Sequence, residues 1–400
     1  MAKFKYRAMG SEGNKITGDY EAASKDEVIA MITSNGYYPL MVQQIEESTK
    51  IEFNLFAKVT TKDIAIFCRQ LYTMLDVGVS INKALNIMSG QIENKLLKEA
   101  VKDIEERVKK GEMLSEAMKK HQEIFPKLLI AMVQSGEISG NLDTMMLRMS
   151  NHYEKDTKIN NKIKSAMIYP AVLSLVAVVA IMFIMIYVMP TFIEMFESEG
   201  VNLPFTTKML LGLSGFLSNN LLLILILTIT IYVLFTYYKR TDQGIYTLSN
   251  LKLKLPVIGK LNKKIIVSRF TRTLSTLIAS GVSLIHALPV VGEVLGNKVA
   301  EDALLKIKEE VVKGSGLSGP IRECGIFPEM LSSMVTIGEE TGQLDEILNK
   351  TADFYDEEVE QAIIATTSLL EPILIVVMGV IIGFIVISVM LPMFDMYTAM

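Results

Sequence analysis

Two sets of carboxylates stand at matching places in the sequence and have the clearest chemical potential. Glu137 and Asp143 lie in the string SGEISGNLD, and Glu339 and Asp345 lie in IGEETGQLD. Carboxylate oxygens are ligands for hard cations such as Ca²⁺, and they also pair with basic side chains. The repeated pattern is therefore a candidate cation site or a contact site for a basic partner.

A structural interpretation of the same strings stays open. Gly136 and Gly140, with Gly338 and Gly342 at the matching places, can break a helix and permit a tight turn. The neighbouring carboxylates would then lie near the N-terminus of the next helix, where negative charge is favourable. In that case the motif positions the chain and binds nothing.

Arginine recurs at the same place in both halves. Arg69 and Arg272 are the only arginines at equivalent positions. Since these arginines are kept in both copies, we hypothesise that they pair with Glu137 and Glu339.

Signatures of catalysis are missing from the sequence. No GxxxxGK[ST] phosphate-binding loop occurs, which argues against nucleotide hydrolysis by this chain. Residues 314–319 fit GxGxxG, but they follow a charged helical segment instead of a strand, and Gly111 is the only glycine kept at the matching place. His121, His152 and His286 form no HExxH motif. We predict no catalytic residue, no cofactor and no metal, apart from the open question of a cation at the carboxylates.

The motifs recur because one unit occurs twice. FCRQLYTMLDVGVSINKAL, from Phe67, aligns with FTRTLSTLIASGVSLIHAL, from Phe270, at a shift of 203 residues. The apolar spacing in these strings is helical. Gly78 and Gly281 suit the left-handed residue that closes a helix, and Ser80 can cap the helix that follows.

After one deleted residue the shift becomes 202 and persists to the end of the unit. The equivalent residues include Ile124–Pro126 with Ile326–Pro328, Tyr153 with Tyr355, Pro170 with Pro372, and Pro190 with Pro392. We therefore predict two duplicated cytoplasmic helical bundles, at residues 62–168 and 265–371.

Three apolar stretches are long enough to cross a bilayer, namely residues 169–190, 221–238 and 372–393. A buried core helix of this length would show a polar face, and these stretches show none. Half of the residues are hydrophobic and only 21% are charged, which fits the same class. We predict an all-α integral membrane protein with three transmembrane helices and an external connection at residues 191–220.

The distribution of basic residues predicts the orientation. Lysines and arginines flank the first two stretches on the sides away from residues 191–220, and such residues favour the cytoplasm. They are Lys155, Lys158, Lys162, Lys164, Lys239, Arg240, Lys252 and Lys254. Residues 1–168 and 239–371 are therefore expected in the cytoplasm.

Residues 1–50 predict a small α+β module of a different kind. FKYRAM and KITGDYEA flank the turn residues 11–14, as in a hairpin. SKDEVIAMITSNG predicts a helix with Ser24 as its cap, Glu27 three residues later and Gly36 as its stop. The polar residues 46–54 are expected to link this module to the first bundle.

Charge and cysteine content exclude other classes. The net charge of −4 gives no reason to expect nucleic acid as a partner. Cys68 and Cys324 lie far apart and form no CxxC, so a disulfide framework is excluded. The first residues lack the apolar run of a cleaved export signal.

The two copies differ in charge. Residues 62–168 carry 17 basic and 14 acidic residues, whereas residues 265–370 carry 8 and 16. Beside an anionic membrane, an acidic run in the second copy would be repelled. The run comprises Asp353, Asp356, Glu357, Glu358 and Glu360. We hypothesise that the first copy's juxtamembrane helix or a partner covers it, and a solvated acidic face is the alternative.

The doubled F-x-R-x-L, GV-S and GE-x-[ST]G-x-L-D motifs, the three stretches and the N-terminal module resemble the type II secretion protein F family, which includes the platform proteins of type IV pilus assembly. The resemblance implies a non-enzymatic scaffold in the bacterial inner membrane. It also implies as partners a cytoplasmic assembly ATPase, pilin or pseudopilin subunits, other assembly proteins and further copies of the chain. The motif residues would then be structural or contact positions.

Pilus assembly and secretion use nearly the same platform, so the choice between them stays open. The abundance of Lys, Ile, Asn and Met is typical of an AT-rich genome and slightly favours pilus assembly. A transporter built from repeats is the alternative function. Against it, the apolar stretches contain no charged residue, and Glu371 lies at a membrane edge. A membrane-bound enzyme is a third class, for which no constellation of residues was found.

Overall fold

The N-terminal part of the chain forms a unit of its own, residues 1–57. The computed structural model describes residues 2–10, 15–22, 24–44, 58–192 and 204–399. In the N-terminal unit, strand β1 (Ala2–Met9) lies between β2 (Lys15–Ala22) and β3 (Tyr38–Gln44), antiparallel to both. Helix α1 (Lys25–Ser34) packs on this sheet.

The predicted hairpin and helix correspond to β1, β2 and α1, whereas β3 was not predicted. The hydroxyl of Ser24 accepts the N–H of Glu27, as a helix cap does. Gly36 has a φ of 79° and ends the helix. The predicted turn at residues 11–14 and the linker at 46–54 lie outside the described residues.

The first copy comprises six helices. They are α2 (Thr61–Asp76), α3 (Ile81–Gln91), α4 (Lys95–Lys109), α5 (Leu114–Lys119), α6 (Lys127–Ser139) and α7 (Leu142–Phe183). A capping box at Thr60 and Asp63 starts α2. Ser80 occupies the cap position of α3, but its side chain makes no capping hydrogen bond, so that part of the prediction is wrong.

Two further helices separate the copies. Helix α8 (Phe205–Asn219) is followed by α9 (Leu221–Tyr238). Helix α8 lies in the region predicted as an external connection, residues 191–220. Residues 193–203 of that region are not among the residues that the structure describes. The hydroxyl of Ser214 donates to the carbonyl oxygen of Met185 at 2.5 Å. Met185 lies in a π-helical segment, Ile184–Val188, that continues α7.

The second copy repeats the six helices after one additional helix, α10 (Asp242–Lys254). They are α11 (Ile258–Ile278), α12 (Leu284–Val294), α13 (Lys298–Val312), α14 (Ser318–Glu323), α15 (Glu329–Thr341) and α16 (Leu344–Ala399). The two duplicated helical domains are therefore confirmed.

The same aromatic pair lies in the core of each copy. Helix α2 packs along α7, and α11 packs along α16. The rings of Phe67 and Phe125 are 5.4 Å apart, and those of Phe270 and Phe327 are 4.9 Å apart. These rings belong to the apolar core of the bundles, together with buried leucine, isoleucine, valine and methionine side chains.

Two helices are long and apolar enough to cross a membrane. They run over Leu142–Phe192 and Leu344–Leu391, and most side chains of their apolar segments are not buried inside the protein. Helix α7 passes through Pro170 without ending, so bundle and apolar segment form one continuous helix. In α9 the apolar stretch is Leu225–Tyr238, which is shorter than the two long apolar helices. The transmembrane helix at 221–238 therefore stays a prediction.

Candidate functional site: the motif elbow and the seam between the copies

Each repeated glutamate closes the N-terminus of a short helix. The carboxylate of Glu137 accepts the N–H groups of Leu114 and Ser115 at 2.5 and 3.0 Å, at the start of α5. Such hydrogen bonds to an ionised acceptor are strong and satisfy backbone donors that a helix leaves unpaired. The prediction of a carboxylate at a helix N-terminus is correct in kind, but the helix is the preceding one.

In the second copy the equivalent contact is made in the glycine-rich loop, residues 314–319. The carboxylate of Glu339 accepts the N–H groups of Leu317 and Ser318 at the start of α14. A Cβ on Gly316 would lie 3.1 Å from Oε1 of Glu339, so a side chain there would crowd the carboxylate. The loop therefore holds an internal carboxylate, which accounts for Gly316 without a bound phosphate.

The motif glycines form a tight elbow between two helices. A Cβ on Gly136 would lie 2.9 Å from the Cα of Leu142, and on Gly338 it would lie 3.0 Å from the Cα of Leu344. Gly140 ends α6 with a φ of 73°, a left-handed conformation that glycine adopts without strain. The elbow thus fixes the direction in which each long helix leaves its bundle.

The remaining motif residues lie at helix ends or in the first turns of helices. Gly342 ends α15 with a φ of 69°. Asp143 and Asp345 lie in the first turns of α7 and α16, where the helix dipole favours a negative charge. Gly78 and Gly281 have positive φ angles of 84° and 80° and end α2 and α11.

The hypothesis that the repeated arginines pair with the motif glutamates is wrong. Nε and Nη2 of Arg69 donate to the carboxylate of Glu154 at 2.9 Å each, and Nη2 also donates to Asn151 at 2.8 Å. Arg69 lies on α2 and faces α7, while Glu137 is engaged by backbone N–H groups elsewhere.

Arg272 makes the equivalent contacts in the second copy. Its Nη2 donates to Asp353 at 2.8 Å and to Asp356 at 2.5 Å. At the shift of 202 residues, Asp356 is equivalent to Glu154 and Asp353 to Asn151. The sequence therefore contained the signal for the correct partner, an acidic residue at the same place in both copies.

Ion pairs join the parts of the two copies that precede the apolar segments. Lys155 on α7 lies 2.9 Å from Asp353 on α16, and Lys162 pairs with Glu360. Arg269 on α11 lies 3.0 Å from Asp156 on α7. The hypothesis that the first copy's juxtamembrane helix covers the acidic run is therefore confirmed for these residues.

An apolar stripe accompanies the ion pairs. Ile159 on α7 packs with Val359 and Ile363 on α16. Further along, the hydroxyl of Tyr169 donates to Glu371 at 3.3 Å. The seam formed by α7 and α16 thus combines buried apolar contacts with partly exposed charges.

A polar cavity of about 810 Å³ lies in this seam. Its lining includes Arg148, Lys158 and Asp345. Asn151 and Asn349 also line it, and Asn349 accepts a hydrogen bond from Nη1 of Arg272 at 3.2 Å. His152 borders it, and burial lowers the pKa of His152 to about 4. Nδ1 of His152 is buried and has no hydrogen-bond partner in the structure.

Two carboxylates of the seam, those of Asp353 and Glu360, have pKa values below their ordinary range. Burial by itself would raise the pKa of Asp353, but hydrogen bonds from Arg272 and Lys155 lower it below its usual value. The hydrogen bond from Lys162 lowers the pKa of Glu360. These carboxylates are therefore charged near neutral pH and keep the two copies paired.

The contacts of the repeated motif residues are contacts within the fold. Within the described residues, no three His, Cys, Asp or Glu side chains are grouped so that they could hold a metal ion. The capping role accounts for Glu137 and Glu339. What the geometry provides is two bundles, each fixed by an elbow to a long helix, and a charged seam between those helices.

Comparison with known proteins identifies the family. The family "Type II secretion system (T2SS), protein F" matches residues 67–190 and 270–392, and the family "Type II secretion system protein F, N-terminal domain" matches residues 1–43. The chain is 35% identical to the type IV pilus assembly protein PilC of Thermus thermophilus over 98% of both chains. It is 34% identical to PilC of Myxococcus xanthus, over 99% of this chain and 95% of that one, and 31% identical to the type II secretion system protein F of Xanthomonas campestris over the full length of both. The chain therefore belongs to the type II secretion system protein F family.

Proposed function

We propose that this chain is the inner-membrane platform protein of a type IV pilus assembly machine or a type II secretion system. It acts as a multi-pass membrane scaffold with most of its residues in the cytoplasm, and it has no catalytic activity of its own. A cytoplasmic assembly ATPase acts on the helical bundles, and pilin or pseudopilin subunits meet the membrane part. Further assembly proteins and copies of the chain complete the machine.

Family membership and the names of the relatives support this role. Relatives named as pilus assembly proteins are 34–36% identical, and those named as type II secretion system protein F are 28–32% identical. The difference favours pilus assembly. In this role the duplicated motif residues are contact or positioning residues of the bundles, and the elbows are the features that transmit force.

One observation carries the proposal. Helices α7 and α16 run without a break from the bundles into the apolar segments, and the seam joins them side by side. A push on either bundle is therefore transmitted along a stiff helix into the membrane, because bending a helix requires breaking its backbone hydrogen bonds.

Breaking the continuity of the long helices tests the proposal. Seven glycines are inserted after Ala166 and after the equivalent Ser368, and the control carries seven alanines at both places. Seven residues complete two helical turns nearly in phase, so the alanine variant keeps a stiff helix, whereas the glycine variant does not. We expect the glycine variant to co-purify with the ATPase and pilin-like subunits but to lose filament assembly or secretion at least tenfold relative to the alanine variant. Equal function of the two variants, or no co-purification by the unmodified chain, would contradict the proposal.

A further inference from the structure

The two copies meet through different faces. Lys127 on α6 of the first copy lies 2.7 Å from Glu293 on α12 of the second. The hydroxyl of Ser135, also on α6, donates to the carbonyl oxygen of Ser280, in the turn before α12, at 2.8 Å. The first copy therefore contributes α6, and the second contributes the end of α11 and α12.

The reciprocal contact is not made. In a two-fold arrangement, α15 of the second copy would meet α2 and α3 of the first. Within the described ranges, no hydrogen bond or ion pair connects α15 with the first copy, or α2 and α3 with the second. The association is therefore heterologous, and it leaves one unused face at each end of the pair.

Burial marks the two unused faces. Leu128 on α6 is 1% exposed, whereas its equivalent on α15, Met330, is 38% exposed. Ile337 on α15 is 43% exposed, and Val77 at the end of α2 is 73% exposed. The face of α2 and α3 also exposes two isoleucines, Ile66 and Ile87. Apolar side chains are thus exposed on both unused faces.

We propose that the α15 face of one chain docks on the α2–α3 face of a second copy of this chain, with Ile337 against Val77. This contact repeats between chains the arrangement that joins the copies within the chain. At the two central positions the in-chain contact has Ser135 and Ser280, so the contact between chains is the more apolar of the two.

The membrane permits this repetition. Helices α7 and α16 run side by side in the same direction, from the pair Lys155 and Asp353 to the pair Tyr169 and Glu371. The rotation that relates the copies therefore has its axis close to the direction of the long helices. Repeating it keeps the apolar segments of every chain in one bilayer, and the chains close into a ring if the rotation closes. The proposal rests on the proposed function only in that the chains share one membrane.

Cross-linking between two differently tagged chains tests the contact. Both chains carry Cys68→Ala and Cys324→Ser; one also carries Val77→Cys and the other Ile337→Cys, and they are co-expressed in membranes without the ATPase. We expect a short bis-maleimide to give a product with both tags. The control replaces Val77→Cys by Ile138→Cys, an exposed isoleucine that is on neither unused face, and should give at least tenfold less product. No product with both tags, or equal product in the control, would overturn the proposal.

A charge exchange provides an independent measurement. Val77→Glu or Ile337→Lys alone should lower the oligomeric fraction, measured by light scattering in detergent, at least threefold. Both changes in one chain should restore it, because a heterologous contact places one new acid opposite one new base. Thermal unfolding checks that each variant is folded. Folded single variants with an unchanged oligomeric fraction would refute the contact.

Discussion

The arginine clusters of the two copies are built on one plan but differ in charge and burial. Arg69 is 37% exposed and meets one carboxylate and one amide, whereas Arg272 is 12% exposed and meets two carboxylates and one amide, that of Asn349. The difference comes from Asp353, which replaces Asn151. Asp353 also pairs with Lys155 of the first copy, so this residue takes part both in the internal contact with Arg272 and in a contact between the copies.

This comparison shows how duplication supplies a second role at little structural cost. The first copy keeps a local arginine–glutamate pair within its own bundle. In the second copy the additional charge serves the seam. Asp353 is 58% exposed and pairs with Lys155 of the first copy, whereas the largely buried Arg272 is also paired by Asp356 within its own copy. The second cluster therefore depends in part on the first copy, whereas the contacts of Arg69 all lie within its own copy.

The largest expected effect is a difference in stability loss between substitutions of the two arginines. Arg272→Met leaves two carboxylates close together and should lower the free energy of unfolding by about 2–3 kcal/mol. Arg69→Met removes a more exposed pair and should cost about 1 kcal/mol or less. Thermal unfolding of the full chain in detergent measures both variants.

A matched control sharpens that result. Adding Asp353→Asn to Arg272→Met gives the second copy the neutral residue of the first and should recover part of the loss, because one unpaired charge is removed. Equal destabilisation by the two arginine substitutions would mean that the second cluster is no more dependent on pairing than the first.

The next effect concerns His152, whose equivalent in the second copy is Phe354. The pKa of His152 is lowered from 6.5 to about 4 by burial. Protonation therefore favours the unfolded chain, so the stabilisation is complete above pH 6.5 and is lost as the pH falls from 6.5 towards 4. The slope from this residue is at most about 1.4 kcal/mol per pH unit.

The variant His152→Phe gives the first copy the residue of the second. We expect its melting temperature to depend less on pH between 6.5 and 5 than that of the unmodified chain, whatever its absolute stability. An unchanged pH dependence would show that His152 is not the group that titrates in this range.

The smallest effect concerns the exposed ion pairs of the seam. Lys162→Glu should destabilise the chain by about 0.5 kcal/mol, since Lys162 and Glu360 are both partly exposed and screened by salt. Exchanging both charges, Lys162→Glu with Glu360→Lys, should restore the stability at low salt. If the double exchange is no more stable than the sum of the single changes, the pair contributes nothing to the seam.

Much of the fold could be predicted from the sequence because the helical unit occurs twice in it. The constant shift indicated equivalent helices, and Gly78, Gly140 and their counterparts marked helix ends through the backbone conformation that they permit. Strand β3 was missed because YPLMVQQ has no strict alternation and no second copy for comparison. The roles of the motif residues in contacts with other proteins remain proposals.

The candidate site was predicted less completely. The seam was anticipated from the acidic run and the charge difference between the copies, but the partners predicted for Arg69 and Arg272 were wrong. Asn151 and Glu154 were overlooked although their equivalents are acidic, since a partner more than 80 residues away gives no local signal.

The sequence alone determined the duplicated helical bundles, the helix ends and the apolar segments, because these depend on local conformation and on periodic burial that each copy repeats. Only the tertiary structure decided which faces of the copies meet and that Glu137 caps a helix instead of pairing with Arg69. The physical reason is that contacts within a copy occur twice in the sequence, whereas each contact between the copies occurs once and depends on how whole helices pack.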